Sequence, residues 1–162
     1  MLKQTHTKIR MMTYGALIAA LYVALTYLAM ALGLDKNAIQ IRFSEALIVL
    51  AFITPAAIPG LYIGCLLANI LTGCALWDIL FGTLATLIGA VFARLLRKNK
   101  WLVPLPSVLS NMAIIPFVLI YAYGVEDAYP FLLLTVGIGE VISIYGLGMA
   151  LIFALEKRNI FK

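Results

Sequence analysis

The stretch FSEALIVLAFITPAAIPGLYIGCLLANILTGCAL, residues 43–76, is an apolar run too long for one membrane-spanning helix. A spanning helix needs about 20 apolar residues. The middle of the run, TPAAIPG, carries Pro55 and Pro59, which remove backbone hydrogen-bond donors. The run therefore predicts two helices joined by a tight turn. The first of them is short for a span, so it tilts, starts in a loop or is partly re-entrant.

The composition indicates that the rest of the chain is also membrane-embedded. The 162 residues are 64% hydrophobic with a mean hydropathy of +1.06, whereas soluble domains are about 45–50% apolar. The sequence therefore predicts an all-α integral membrane protein with six transmembrane helices in a single membrane-embedded domain, residues 1–162. The predicted helices cover residues 12–34, 43–54, 56–75, 77–97, 102–123 and 129–155.

Six spans leave no room for a soluble catalytic domain. The chain also lacks a phosphate-binding loop of the G-x-x-x-x-G-K-[ST] type, so any uphill transport would draw on an ion gradient or on a partner chain. No cofactor or metal site is expected. The single histidine, His6, lies in the tail, and Cys65 and Cys74 lie in or beside apolar segments.

The basic residues fall mainly on one side of this arrangement. The other side has only Lys36 and Arg42, together with the acidic residues Glu126 and Asp127. The positive-inside rule then places both termini in the cytoplasm. The net charge of +5 needs no nucleic-acid partner to explain it. The ten basic residues on the first side are Lys3, Lys8, Arg10, Arg94, Arg97, Lys98, Lys100, Lys157, Arg158 and Lys162.

Small residues recur at a spacing of four in three of the predicted helices. Such rows lie on one helix face and allow another helix to approach closely. Each row either packs inside the bundle or docks a second membrane protein, and the sequence does not choose between these uses. The rows are Ala16, Ala20 and Ala24; Gly60, Gly64 and Ala68; and Ala85, Gly89 and Ala93.

Three carboxylates in apolar segments, Glu45, Asp78 and Glu140, indicate a binding site. An acidic residue at the bilayer centre costs about 2.5–3.5 kcal/mol, so it is retained for a reason. The amides of Asn69 and Asn111 are polar partners in other helices. Together with Arg42, these residues are expected to line a cavity that opens outward.

Most of these residues have a structural alternative. Arg42, three residues before Glu45 on the same helical face, would form an ion pair with it at the interface. Asp78 would cap a helix, and the two asparagines would join helices by hydrogen bonds. Glu140 is the exception, because it has neither a helix end nor a cation nearby in the sequence.

Carboxylates and carboxamides beside aromatic rings suit a flat heterocycle that carries several N–H donors. Trp77, Tyr62 and Tyr145 are the candidate rings for stacking on such a ligand. A second carboxylate would hold a cationic amine on the ligand. The same chemistry also allows a polyamine or a proton path.

Four strings in the chain resemble the QueT family. They are IQIRFSEALIVLAFITPAAIPGLYIGCLLANIL (39–71), LWDILFGTLATLIGA (76–90), SNMAIIP (110–116) and GIGEVISIYGLG (137–148). Members of this family are the substrate-binding (S) components of energy-coupling factor (ECF) transporters, assigned to queuosine precursors. The resemblance covers residues 10–155.

The resemblance implies an ECF S-component bundle in the bacterial cell membrane, with no chemistry of its own. It would bind a 7-deazaguanine such as preQ1, preQ0 or queuine on the extracellular side, and join a transmembrane coupling protein and two cytoplasmic ATPases. Ala16, Ala20 and Ala24 match the helix-1 row by which S components contact the coupling protein. The site carried over onto matching strings comprises Arg42, Glu45, Asn69, Asp78, Asn111 and Glu140.

Within that site, Glu140 or Asp78 is expected to accept the guanine-like N–H pair, Asn111 to read a ring edge, and Trp77 or Tyr145 to stack. The alternatives are a stand-alone proton-coupled transporter that uses Glu140, and an S component for a different vitamin-like heterocycle. An intramembrane enzyme lacks a Ser/His or Cys/His pair at membrane depth. A purely structural membrane protein would leave the buried carboxylates unexplained.

Overall fold

A computed structural model describes residues 2–34 and 39–157, and the described part is helical throughout, without strands. Four of its six helices are long and apolar enough to cross a membrane, and two are shorter. This confirms an all-α membrane protein with six helices. The helices are α1 (Leu2–Ala31), α2 (Phe43–Ile53), α3 (Ala57–Leu71), α4 (Leu76–Leu95), α5 (Leu105–Tyr123) and α6 (Tyr129–Lys157).

Several helix ends differ from those predicted. Helix α1 begins at Leu2 rather than Met12, because the polar N-terminal residues continue the helix instead of forming a tail. Helix α3 ends at Leu71, and Gly73 follows with φ of +73°, a left-handed conformation that glycine adopts without strain. Of the basic residues in the charge argument, Lys36, Arg158 and Lys162 lie outside the described residues, as does the side chain of Lys3.

Two of the helices are not regular α-helices. Helix α2 is a 3-10 helix over Phe43–Val49 and becomes α-helical only over Leu50–Ile53. Helix α6 widens to a π-helix over Val141–Gly148. The two irregular segments pack against each other, and a Cβ at Gly148 would lie 2.8 Å from Val49 Cγ1. The π segment begins directly after Glu140. Such segments often occur at functional sites.

The break between α2 and α3 is at Thr54. Its backbone is extended (φ −133°, ψ 136°), as the steric demand of Pro55 requires of the preceding residue. The open carbonyl groups at the end of α2 are satisfied by Arg94, whose Nη1 donates to Ala51 O (3.3 Å) and Phe52 O (3.0 Å). Arg94 thus ties the end of α4 to the end of α2.

The two ends of the bundle differ in charge. At one end, Lys100 Nζ pairs with Glu156 Oε2 at 2.9 Å, joining the α4–α5 connection to the end of α6. This end, which also carries Arg94, Arg97 and Lys98, is called the basic end below. At the opposite end, the start of α4 meets the last turn of α5 through Tyr123.

Two of the three rows of small residues pack inside the bundle. In α3, Gly60 and Gly64 face α1, and added Cβ atoms there would lie 2.6 Å from Gly15 O and 2.7 Å from Tyr22 Cβ. In α4, a Cβ at Gly89 would lie 2.8 Å from Ser107 Cβ of α5. These rows bring backbones close together, as the spacing predicts.

Gly60→Ala is expected to lower the thermal stability of the purified protein, by about 1–3 kcal/mol in free energy of unfolding. The added methyl group meets backbone atoms of Gly15, which cannot rotate away. Gly146→Ala is the matched control, because a Cβ there meets no atom within 4 Å. Equal unfolding temperatures for the two variants in the same detergent would contradict close packing of α1 on α3.

Candidate substrate-binding site

The three carboxylates from the apolar segments are all buried, on α2, α4 and α6. Glu45, Asp78 and Glu140 have exposed fractions of 2%, 5% and 9%. Within the described part of the chain, each keeps one buried oxygen without a hydrogen-bond partner: Glu45 Oε2, Asp78 Oδ1 and Glu140 Oε2. Buried polar atoms are nearly always paired, so these three carboxylate oxygens mark a candidate polar site.

Two tyrosines hold the second oxygen of Glu45 and of Asp78. The buried Tyr22 hydroxyl on α1 donates to Glu45 Oε1. The Tyr123 hydroxyl at the end of α5 donates to Asp78 Oδ2 at 2.9 Å and accepts the Ala75 N–H at 3.1 Å. Because the hydroxyl accepts the backbone N–H, its own proton is directed at Asp78. The sequence analysis named neither tyrosine.

A pocket of about 20 Å³, called the narrow pocket below, lies at the middle of α5 and α6. Asn111 Nδ2 and Glu140 Oε2 are both buried beside it, and neither has a hydrogen bond of normal geometry within the described residues, although the Asn111 amide lies close enough to interact with the Glu140 carboxyl group. The pocket has room for about one water-sized group. It therefore places one donor and one acceptor side by side. Its lining residues are Gln40, Arg42, Asn111, Ile115, Val136 and Glu140.

A second space of about 350 Å³, called the wide cavity below, adjoins the narrow pocket. The two share Gln40, Arg42 and Ile115. Asp78 and Tyr123 line the wide cavity at the end of the bundle away from the basic end. Cys74 and four apolar residues complete its wall: Val118, Leu119, Val125 and the shared Ile115.

The short segment before α2 borders both spaces. The Arg42 N–H donates to Ser143 Oγ of α6 at 3.1 Å. Beside it the Gln40 backbone passes so close to Gly139 that a Cβ on Gly139 would overlap the Gln40 carbonyl oxygen. Gln40 was not among the site residues found from sequence, because a polar residue in a short connection carries no periodic signal.

Arg42 does not form the ion pair considered as its structural alternative. The residue is extended (φ −108°, ψ 105°) and precedes the helix, so Arg42 and Glu45 do not share a helical face as the spacing suggested. Among the described residues, no carboxylate oxygen lies within 4.0 Å of its guanidinium nitrogens. Arg42 instead lines both the narrow pocket and the wide cavity.

The remaining polar residues are divided between site and scaffold. Asn69 is buried, and its Nδ2 lies 3.5 Å from Asp78 O and 3.6 Å from Cys65 Sγ, which joins α3 to α4. This matches the interhelical role weighed for it. Asp78 makes no capping hydrogen bond at the start of α4, since its side chain bonds to Tyr123 instead.

The three aromatic residues proposed for stacking lie away from both spaces. Trp77 is 55% exposed and stacks on Phe81, with 5.7 Å between ring centroids, in an outward-facing apolar groove. Tyr62 is 37% exposed on α3. Tyr145 donates to Trp101 O at 3.1 Å, towards the basic end. The aromatic ring that lines the wide cavity is Tyr123.

The row Ala16, Ala20 and Ala24 lies on the exposed face of α1. The packed face of the same helix contains Gly15, Ile18, Ala19 and Tyr22, and it rests on α3. Leu17 and Leu21 flank the row and are also exposed. A small-residue surface is therefore open for a second helix, unlike the rows of α3 and α4.

The long apolar helices define a multi-pass membrane protein. The buried, unpaired polar groups between them define an internal polar site. Over residues 12–157 the sequence matches the family described as QueT transporter, and the chain belongs to this family. This confirms the resemblance drawn from the four strings. The protein is thus a membrane transport protein. Comparison with the curated proteins and with the solved structures gave no match.

Proposed function

We propose that this chain is the substrate-binding S component of an ATP-driven ECF importer in the bacterial cell membrane, and that its cargo is a 7-deazaguanine precursor of queuosine. The observation that carries the proposal is the pair of unused groups in the narrow pocket, Asn111 Nδ2 and Glu140 Oε2. Together with family membership, this pair favours a ligand with an acceptor next to a donor.

A guanine-like ring presents this arrangement on one edge, where a carbonyl group lies beside a ring N–H. Asn111 would donate to the carbonyl and Glu140 would accept from the N–H. The narrow pocket, at about 20 Å³, admits only such an edge. The body of the ring then lies in the wide cavity, whose volume of about 350 Å³ exceeds what one bicyclic ring needs.

Transport by this chain needs partners in the proposal. The exposed alanine row on α1 is the surface for the transmembrane coupling protein, which brings two cytoplasmic ATPases. The basic end faces the cytoplasm, and so do both termini, by the positive-inside rule. The wide cavity then opens to the extracellular side. The S component itself binds its cargo without catalysing a reaction.

A stand-alone proton-coupled transporter is the second candidate. The unpaired Oε2 of the buried Glu140 favours it, because a carboxyl group at that depth can carry a proton. Uptake by such a protein would stop when the proton gradient is dissipated. Uptake by the proposed importer would depend instead on the coupling protein and the ATPases.

Equilibrium binding to the purified full-length chain tests the proposal. The panel is preQ1, preQ0, queuine, guanine, riboflavin and thiamine, titrated in detergent by calorimetry. At least one deazaguanine is expected to bind tightly, with riboflavin and thiamine showing no heat of binding. A folded protein that binds no deazaguanine would contradict the cargo. Binding of riboflavin or thiamine instead would indicate an S component for another heterocycle.

A further inference from the structure

The charges around the two spaces do not balance. Glu45, Asp78 and Glu140 are buried there, and the cationic side chain that lines both spaces is Arg42, which Asp78 and Glu45 both attract. Among the described residues, the ion pair within 4.0 Å is that of Lys100 and Glu156, which belongs to the basic end. Burying a charge without a partner is costly, so a positive charge on the ligand would offset part of this surplus.

Asp78 is the carboxylate placed to receive that charge. Its side chain is 5% exposed, lines the wide cavity and has Oδ1 unpaired within the described residues. Tyr123 fixes the other oxygen, Oδ2, at 2.9 Å. The lack of a Cβ on Gly82 leaves space for Oδ1, which lies 3.0 Å from the position that such a Cβ would take.

The two carboxylates nearest the spaces therefore have separate tasks. Glu140 stands beside a donor, Asn111, and suits a ring edge that offers both an acceptor and a donor. Asp78 already accepts the Tyr123 hydroxyl proton, so this pair offers only acceptors to the ligand, and Arg42 is a donor among the other residues of the cavity wall. An ammonium group, which has donors only, complements the Asp78 end.

Resting on the proposed function, we propose that Asp78, oriented by Tyr123, determines specificity by binding an ammonium group on the substituent of the deazaguanine. The protein then selects a cationic, amine-bearing cargo such as preQ1 over the neutral nitrile preQ0. A nitrile nitrogen is an acceptor and cannot pair with the Asp78 carboxylate. An ammonium forms a charge-assisted hydrogen bond there. Selection is by charge rather than size, because the wide cavity extends beyond the ring.

Calorimetric titration of preQ1 and preQ0 against the wild type and Asp78→Asn tests this. Asparagine keeps the volume of the side chain and an oxygen for Tyr123, but it removes the charge. The wild type is expected to bind preQ1 about 10–100-fold more tightly than preQ0, the usual range for a hydrogen bond to a charged group. In Asp78→Asn that preference is expected to shrink to within about 3-fold, mainly through loss of preQ1 affinity.

Two further variants make the result specific. Tyr123→Phe removes the hydroxyl that orients Asp78, and it should weaken preQ1 more than preQ0. Glu126→Gln removes an exposed carboxylate close in sequence to Tyr123 and should leave the preference unchanged. If Glu126→Gln lowers the preference as much as Asp78→Asn does, general surface charge rather than Asp78 is responsible, which overturns the proposal.

The titrations distinguish a wrong role for Asp78 from a wrong assignment of the cargo. Equal affinity of the wild type for preQ1 and preQ0, or an equal loss of both in Asp78→Asn, would overturn the role of Asp78 and leave deazaguanine binding in place. No binding of either compound by a folded wild type would overturn the deazaguanine assignment itself.

Discussion

Replacing Glu140 with glutamine is expected to weaken deazaguanine binding by about 100-fold, near the upper limit for one hydrogen bond to a charged group. The substitution changes the volume of the side chain very little, so the bundle should remain folded. It replaces a charged carboxylate, which accepts at both oxygens, with a neutral amide that keeps one acceptor oxygen and has an NH2 donor in place of the other. The unpaired Oε2 makes this the most sensitive position in the narrow pocket.

The measurement is the dissociation constant of the tightest deazaguanine in the panel, for the purified wild type and Glu140→Gln. Glu126→Gln is the matched control, since it makes the same change at an exposed turn. Thermal unfolding of all three proteins establishes that they are folded. A dissociation constant unchanged by Glu140→Gln would show that the ring edge is bound elsewhere.

Ala20→Leu is expected to abolish deazaguanine uptake by cells that express the complete transporter, while the isolated chain keeps its affinity for the ligand. Ala20 is exposed in the middle of the alanine row on α1. The larger side chain would hold the partner helix away from the backbone, where packing between membrane helices gains most of its energy. The site itself is untouched, because the substituted side chain points out of the bundle.

Ala150→Leu on α6 is the control, because it makes the same change at an exposed alanine outside the row. Uptake is measured with labelled ligand, and binding is measured on the purified variants. Normal uptake by Ala20→Leu would show that the coupling protein docks on another surface. Loss of binding by the isolated variant would show that α1 is disturbed inside the bundle.

The sequence predicted the fold well where the signal was local. Long apolar runs predicted the helices, and the requirement that Pro55 places on its neighbour broke the run at Thr54. The 3-10 segment of α2 and the π segment of α6 were not predicted. They pack on one another, so their geometry depends on contacts between residues about a hundred positions apart.

The candidate site was predicted from the free-energy cost of placing polar residues in the bilayer, not from the periodicity of apolar residues. The burial of Glu45, Asp78, Glu140 and Asn111 agrees with the expectation that polar residues in apolar helices face inward. The aromatic residues were harder to place, because a helix that is apolar on all sides does not reveal which face is buried. Trp77 faces outward and its neighbour Asp78 faces inward, which the sequence pattern did not distinguish.

The lengths of neighbouring helices have a consequence for the surrounding lipid. Helix α3 has 15 residues, about 22 Å of helix, and exposes apolar side chains such as Ile63 and Leu67. The adjacent α1 is apolar over residues 12–31, about 30 Å of helix, because Lys8 and Arg10 precede this part. A bilayer core of about 30 Å matches α1 but exceeds α3, so lipid chains beside α3 must compress. A partner helix that covers this side would relieve the hydrophobic mismatch. The binding of the partner would then depend on the thickness of the membrane.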